Sequence, residues 1–183
     1  MRVTGESLPR PATLTDTELT RMAFKKISLN KGFVTIVDES DYDMLMQWKW
    51  YIHGTHVARP EYLGSYKGKK KYKTHYMHRV IMDTPDGMET DHINGNGLDN
   101  RRSNLRICTL NQNHQNRKRY LGTSIYKGVD YHKGTGKWRV RIGSGNGIHI
   151  GLFSSEIEAA LAYNKAAIQH YKEFARLNVI LEK

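Results

Sequence analysis

A chain of 183 residues is long enough for one or two small domains, each with a modest core. It carries 29 lysines and arginines against 18 acidic residues, and the net charge of +11 favours a polyanionic partner such as nucleic acid. The single cysteine, Cys108, excludes an internal disulfide and a zinc site built from several cysteines, so a bound metal would need oxygen or imidazole ligands.

The composition also indicates a cellular location. Residues 1–10 lack the apolar core of a signal peptide, and no apolar run approaches the roughly 18 residues of a membrane helix. We therefore expect a soluble cytoplasmic protein without a membrane partner.

Residues 1–23 are predicted to form a flexible N-terminal arm. The stretch is polar, and Pro9 and Pro11 prevent an early helix. Only residues 15–19 have a composition that could begin a short one.

Residues 24–74 are predicted to form a β-rich scaffold. Alternating apolar residues on both sides of a turn at 30–32 predict a hairpin over 27–37. Ser40 is predicted to cap a short helix that ends at Met46. Two further strands are predicted, at residues 48–52 and 56–59.

A cluster of lysines at residues 67–73 is predicted to lie at the tip of a further β-hairpin. Clustered ammonium groups displace counterions from DNA, so this loop is suited to hold phosphate groups. Such contacts carry no sequence information and give only non-specific affinity. The alternative is a solvated loop without a ligand. The lysines assigned to DNA are Lys69, Lys70 and Lys71.

The most informative stretch runs from residue 75 to residue 121. Strands are predicted in three places, at residues 75–78, 88–92 and 105–109. Residues 109–112 have the form of a capping box that opens a helix. Asn113 then falls in the first helical turn, where its side chain can face back across the hairpin.

The adjacent residues Asp91 and His92 close the second of these strands. Neighbouring strand residues point to opposite faces, so both side chains can reach one site only where the strand ends in an irregular loop. Residues 94–97 (Asn-Gly-Asn-Gly) supply that loop, because Gly and Asn adopt positive φ at little cost. Hydrolysis of a phosphodiester needs a base of near-neutral pKa and a cation that stabilises negative charge. Histidine can act as the base, and carboxylate and amide oxygens can bind the cation.

Four pieces of this stretch together resemble the HNH endonucleases, in the homing-type branch associated with phages and introns. The pieces are His78-Arg79, Asp91-His92-Ile93-Asn94-Gly95-Asn96, Asp99-Asn100-Arg101-Arg102-Ser103-Asn104-Leu105-Arg106 and Asn113. The resemblance implies a ββα-metal nuclease finger over residues 75–121 that acts on double-stranded DNA. It also implies a phage-encoded protein in the cytoplasm of the host.

The resemblance further implies a role for each matched residue. His92 would activate water as the general base. Asp91, which is also assigned as catalytic, would hold a divalent cation together with Asn113. His114 and Asn116 lie near enough along the chain to be alternatives to Asn113. Asn104 would brace the loop and hold the base in orientation. Asparagine rather than histidine at the third position favours a hard cation, Mg²⁺ or else Mn²⁺, over zinc.

The other histidines are less informative. His78, with Arg79, either supports the base from behind or only packs there. No role follows for the remaining histidines His53, His56, His75 and His170. The alternative to the whole site is a polar hairpin whose amides only satisfy a tight turn.

Residues 122–183 are predicted to form a separate unit, a three-stranded antiparallel sheet packed on one helix. The strands are predicted at residues 124–129, 137–142 and 148–153. The apolar residues of the middle strand share one face, and Arg139 and Arg141 share the other. A helix follows the capping residue Ser155. The residues predicted at helical spacing on one face are Ile157, Ala160, Leu161, Asn164, Ile168 and Tyr171. The alanines of this helix are predicted to permit a close approach to the sheet.

This unit resembles the APETALA/ethylene-response-factor type of DNA-binding domain. The matching pieces are Tyr126-Lys127-Gly128-Val129, Gly136-Lys137-Trp138, Gly151-Leu152-Phe153, Glu158-Ala159-Ala160, Ala162-Tyr163, Ala166-Ala167 and Phe174-Ala175-Arg176-Leu177-Asn178. The resemblance implies that the open sheet face enters a major groove. The DNA-facing residues would be Lys127, His132, Arg139, Arg141 and His149. The alternative is a structural domain that does not touch DNA.

The sequence therefore predicts an α+β protein that hydrolyses DNA at one metal-dependent site and finds its target through the C-terminal sheet. One site per chain predicts nicking by a monomer, or double-strand cutting only by a weak dimer. The alternative is a non-catalytic, sequence-specific DNA-binding regulator that retains the nuclease scaffold. The full set of matched site residues argues against that alternative.

Overall fold

The computed structural model describes residues 23–118, 122–143 and 147–180. Within these ranges the chain combines short helices with two-stranded and three-stranded antiparallel sheets, which confirms the predicted α+β class. Of the arm predicted at residues 1–23, residues 1–22 lie outside the described residues, and so does the short helix that residues 15–19 could begin. None of the helices in the described ranges has both the length and the hydropathy to cross a membrane.

A hairpin opens the described chain. Strand β1 (Phe24–Ser28) pairs with strand β2 (Val34–Asp38), as predicted, and helix α1 (Glu39–Leu45) follows. The predicted cap is wrong, because the helix begins before Ser40 and its N-cap is Asp38, whose side chain makes no capping hydrogen bond. Acidic residues in the first turn of α1 interact favourably with the positive end of the helix dipole instead.

The second sheet contains strands β3 (Tyr51–His53), β4 (His56–Tyr66) and β5 (Lys69–Tyr76), in that order. The lysine cluster lies at the β4–β5 turn, as predicted. The strand predicted from residue 48 begins only at Tyr51, because Trp50 turns into the core and its indole N–H donates to the Leu45 carbonyl at 2.8 Å.

Helix α2 (Met77–Met82) replaces the strand predicted through residue 78. Met77 and Ile81 lie one helical turn apart and are both buried, so burial against the scaffold selects the helix here. Strands β6 (Glu89–His92) and β7 (Leu105–Cys108) then pair antiparallel, and helix α3 (Leu110–Asn116) follows β7.

One core joins the scaffold to the β6–β7 hairpin. Its buried members come from β1, β2, α1, β4, α2 and β7, together with Trp50. They are Ile27, Val37, Leu45, Trp50, Val57, Met77, Ile81 and Leu105. The hairpin that carries Asp91 and His92 is therefore held by the preceding segment. We call this assembly the first unit.

The second unit contains strands β8 (Val129–His132), β9 (Lys137–Ile142) and β10 (Ile148–Phe153), with β9 in the middle, and helix α4 (Glu156–Tyr171). The first strand starts five residues later than predicted. Ser155 caps α4 as predicted, since its hydroxyl accepts from the Ile157 N–H at 3.2 Å.

The face of α4 that packs on the sheet is only partly the predicted one: Ala160 is buried and Tyr171 packs against the core, as predicted. The large residues Ile157, Leu161 and Ile168 are about half exposed. The buried face carries Ala159, Ala160, Tyr163, Ala166 and Ala167, which pack against Val129, Val140 and Ile142. The buried alanines agree with the prediction that small side chains permit a close approach of the helix to the sheet.

Candidate active site

The β6–β7–α3 segment positions the candidate residues. Asp91 lies opposite Arg106 and His92 opposite Leu105 in the antiparallel pair. Helix α3 begins with the predicted capping box: the Thr109 hydroxyl accepts from the Gln112 N–H at 3.3 Å, and the Gln112 side chain accepts from the Thr109 N–H at 2.8 Å. This local geometry places α3 beside the end of β6.

The loop after β6 is held by asparagines and by a bridge to the scaffold. The Gly95 residue has a φ of +71°, as the predicted turn requires. The Asn104 side chain accepts from the Asn94 N–H at 3.0 Å and donates to the Asp99 carbonyl at 2.8 Å. On the other side, Ile36 of β2 forms an isolated parallel bridge with Asp99. Asn104 thus braces the loop, but these contacts do not involve the imidazole of His92.

The residue that contacts the imidazole of His92 is Asn100. The His92 Nε2 lies 3.1 Å from the amide oxygen of the fully buried Asn100. The amide nitrogen of Asn100 is committed to Thr35 at 2.8 Å and to the Gly97 carbonyl at 3.3 Å, which fixes the direction of the amide. Since an amide oxygen can only accept, Nε2 carries the hydrogen and Nδ1 keeps a lone pair. The resemblance contained Asn100 within a matched piece but gave it no role.

Three histidines lie together at the base of the site. The ring of His92 is 4.9 Å from the ring of His78 and 5.5 Å from the ring of His56, centroid to centroid. Burial lowers the pKa of His92, partly offset by the bond to Asn100, and lowers that of His78 to about 3. Burial also lowers the pKa of His56. All three rings are therefore neutral at pH 7.

His56 is a residue that sequence reasoning missed. It lies on β4, far from the motif along the chain, and no local pattern marks it. The predicted partner Arg79 is placed differently from His78. Its guanidinium donates to the Met88 carbonyl at 2.7 Å, so it stabilises the turn before β6.

The carboxylate of Asp91 is buried and already well supported. The Arg106 guanidinium donates to its Oδ2 through Nε at 2.9 Å and Nη2 at 2.7 Å. The Asn116 amide donates to both oxygens at 2.9 Å. Within the described residues Oδ1 thus accepts from Asn116 alone and keeps lone-pair capacity. Arg106 was given no role from the sequence, and Asn116 was considered only as an alternative to Asn113.

Asn113 lines the same cleft as Asp91 and His92. We call this the active-site cleft; its wall also includes Arg117, Lys118 and the distant Arg176. The described residues contain no group of three or more His, Cys, Asp or Glu side chains arranged to hold a metal ion. A cation here would rest on one carboxylate and an amide oxygen.

The sheet face predicted to contact DNA is open. Asp130 lies opposite Arg139 in the β8–β9 pair, and its carboxylate accepts from Arg139 at 2.7 Å and from Arg141 at 3.4 Å. His149 lies opposite Arg141 on β10 and is exposed. His132 shares the face and contacts Thr135 at 3.0 Å. Both arginines are thus held in place by one acid.

Lys127 does not lie on that open face. Its ammonium group donates to the Arg117 carbonyl at 2.8 Å and to the Gln115 carbonyl, at the C-terminal end of α3. Burial, together with the nearby charge of Arg176, lowers the pKa of Lys127 to about 8. The resemblance implies that this lysine faces DNA, as it would in an isolated sheet domain. In this chain the second unit packs against α3, and the lysine binds carbonyls of that helix.

A ββα hairpin carrying a buried acid and histidine, with asparagines around the loop, is the arrangement expected of an HNH nuclease. Residues 75–115 match the family model of the HNH endonucleases. The chain is 28% identical over 159 residues to an uncharacterized HNH endonuclease of Acanthamoeba polyphaga mimivirus, and the match covers 86% of this chain and 81% of the relative. Residues 75–115 are therefore similar to the HNH endonuclease domain.

Other relatives are plant proteins that match a shorter part of the chain. An AP2-like ethylene-responsive transcription factor of Oryza sativa is 45% identical over 62 residues, which are 32% of this chain and 9% of the relative. Another from Arabidopsis thaliana is 49% identical over 51 residues, 26% of this chain and 10% of the relative. The chain thus spans about a tenth of these plant proteins. No solved structure matches the chain.

Proposed function

We propose that this protein is a metal-dependent DNA endonuclease in which His92 takes a proton from the attacking water. One observation carries the proposal: the buried, neutral ring of His92 is fixed through Nε2 by Asn100 and lines the same cleft as Asp91 and Asn113. A histidine held in one tautomer, with the lone pair of Nδ1 available, is suited to act as a general base.

The cation ligands we propose are Asp91 and Asn113. Oδ1 of Asp91 has lone-pair capacity left, and the amide oxygen of Asn113 is a hard donor in the same cleft, so the residues present fit such an ion. When bound, a divalent cation would act as a Lewis acid that stabilises charge on the phosphate. We favour Mg²⁺, or else Mn²⁺, because both proposed ligands are oxygens.

Arg106 and Asn116 orient the proposed ligand Asp91. Their hydrogen bonds hold the carboxylate in one rotamer, as partners of a ligating carboxylate commonly do. Asn104 acts indirectly by bracing the loop that carries Asn94 and Gly95. His56 and His78 shield one side of the base with neutral rings, which keeps a competing positive charge away from it.

Target choice is assigned to the second unit. The open face with Arg139, Arg141, His132 and His149 suits phosphates and base edges of a DNA groove, and the relatives of matching sequence are named as transcription factors. The exposed lysines Lys69, Lys70 and Lys71 on the β4–β5 hairpin would add non-specific affinity. We propose a homing-type or phage enzyme that nicks double-stranded DNA as a monomer, or cuts both strands as a weak dimer.

A nicking assay tests the proposal. Supercoiled plasmid is incubated with the protein and Mg²⁺, Mn²⁺ or EDTA, and nicked and linear products are separated on a gel. We expect metal-dependent nicking by the wild type and none by His92→Ala, which should bind DNA as the wild type does. The exposed control His170→Ala should nick normally. Undiminished cleavage by His92→Ala would refute the role of the base. DNA binding by the wild type without any cleavage would instead favour the non-catalytic regulator.

A further inference from the structure

Two clefts meet at the end of helix α3. Arg117 and Lys118 line the active-site cleft and also line a second cleft, between α3 and the second unit. We call the second one the interunit cleft. Its wall from the second unit includes Lys127 and Arg141. The two clefts therefore adjoin at Arg117 and Lys118, and we call the two together the groove.

The charge along this groove is almost entirely positive. Arg117, Lys118 and Lys127 line the interunit cleft together with Arg141, whose guanidinium pairs with Asp130 on the open sheet face. None of the lining residues is a carboxylate within the part of the chain that the structure describes. Asp91 is the acid of the active-site cleft, and Arg106 pairs with it at 2.7 Å. Such a groove concentrates polyanions at its surface.

The interunit cleft also keeps donors that the described residues leave unused. The Lys127 ammonium group has three N–H donors, and two of them bind the carbonyls of Gln115 and Arg117. Tyr163 lines the cleft, and its buried hydroxyl has no hydrogen-bond partner in the described ranges. The lowered pKa of Lys127 is consistent with a site where a bound anion would stabilise the charged lysine.

We propose that Arg117 and Lys118 bind backbone phosphates of the substrate DNA between the cleavage site and the sequence bound by the sheet unit. This inference rests on the proposed endonuclease function and assigns a route to its substrate. The ligand class is the phosphodiester backbone, read for its charge and not for its base sequence.

The salt dependence of DNA binding tests the route. Fluorescence anisotropy of a labelled duplex, in EDTA to prevent cleavage, gives Kd for the full chain over a range of KCl concentrations. Each phosphate contact contributes about 0.9 to the slope of log Kd against log salt. Removing both cations in the variant Arg117→Ala/Lys118→Ala should therefore lower the slope by about 1.8.

Two controls separate specific contacts from bulk charge and from misfolding. The variant Lys26→Ala/Lys165→Ala removes two exposed lysines that line neither cleft, and its slope should equal that of the wild type. The variant Arg117→Lys/Lys118→Arg keeps both charges and should also keep the slope. A wild-type slope in the Arg117→Ala/Lys118→Ala variant, or an equal loss in the Lys26/Lys165 control, would overturn the proposal.

A free phosphate site is the other source of the same chemistry. Titration calorimetry with inorganic phosphate should show no saturable binding to the wild type. Saturable binding that the Arg117→Ala/Lys118→Ala variant loses, with an unchanged duplex slope, would overturn the DNA route. Failure of the wild type to nick DNA would instead refute the endonuclease proposal, since the slope is measured without cleavage.

Discussion

Acid should destabilise the first unit through His78, whose side chain is buried among neutral rings. Burial lowers its folded-state pKa to about 3, against an ordinary value of 6.5. Protons therefore bind the unfolded chain more tightly than the folded one. Above pH 6.5 the imidazole is neutral in both states, so its titration does not change the free energy of unfolding. As the pH falls from 6.5 toward 3, its titration lowers the free energy of unfolding more and more.

The size of this effect follows from the two pKa values. A pH of 5.0 lies about 1.5 units below the unfolded-state pKa of 6.5. At this pH the imidazole is mostly protonated in the unfolded chain and neutral in the folded one. One unit corresponds to about 1.4 kcal/mol, so His78 should lower the free energy of unfolding by about 2 kcal/mol between pH 7.5 and pH 5.0. The substitution His78→Phe removes the titrating group and keeps an aromatic ring.

Urea unfolding at the two pH values measures this difference. Fluorescence of Trp48 and Trp50 reports the first unit when Trp138, which packs against the second core, is replaced by Phe. The loss of stability at pH 5.0 should be about 2 kcal/mol smaller for His78→Phe than for its parent. The exposed control His170→Gln should keep the parent's pH dependence. An unchanged pH dependence in His78→Phe would refute the assignment of a strongly lowered pKa.

Three further substitutions test the supports of the site and of the fold. Asn100→Ala removes the partner of the base, so the nicking rate should fall about 100-fold while DNA affinity measured by anisotropy is kept. Arg106→Gln removes the guanidinium that pairs with the buried Asp91 carboxylate, so it should lower the free energy of unfolding in urea by about 3 kcal/mol. A change within experimental error would contradict the importance of this ion pair. Gly128→Ala places a Cβ 2.1 Å from the Tyr163 ring, at a position whose φ is +73°. The substitution should therefore lower the free energy of unfolding of the second unit by about 3 kcal/mol, measured by the fluorescence of Trp138. Wild-type stability would contradict the clash.

The local parts of the site could be predicted from the sequence. The turn at Gly95, the capping box at Thr109 and the strand ending at His92 depend on neighbouring residues, and the structure has each of them. The first two residues of helix α2 were predicted as the end of a strand, because the burial that favours the helix comes from the scaffold. The face of α4 was predicted only in part, because helical spacing also selected large apolar residues that the structure leaves half exposed.

The missed residues share a different cause, which is long-range contact. His56 reaches the base from β4, and Thr35 orients Asn100 from β2, so neither could be found from the motif alone. Long-range contact also explains why the prediction for Lys127 was wrong. Its family position predicted a DNA contact, but the approach of α3 redirects its ammonium group to helix carbonyls.

The contacts of Arg106 connect the two units at the candidate metal ligand. Its guanidinium bonds Asp91, lies 4.1 Å from the Phe174 ring centroid and donates to the Glu173 carbonyl. The segment after α4 therefore helps to hold the Arg106 guanidinium, which in turn orients the Asp91 carboxylate. A second unit that only tethered the nuclease would not need such contacts. Because the same guanidinium contacts the acid and the segment after α4, the orientation of the Asp91 carboxylate depends on the packing between the two units.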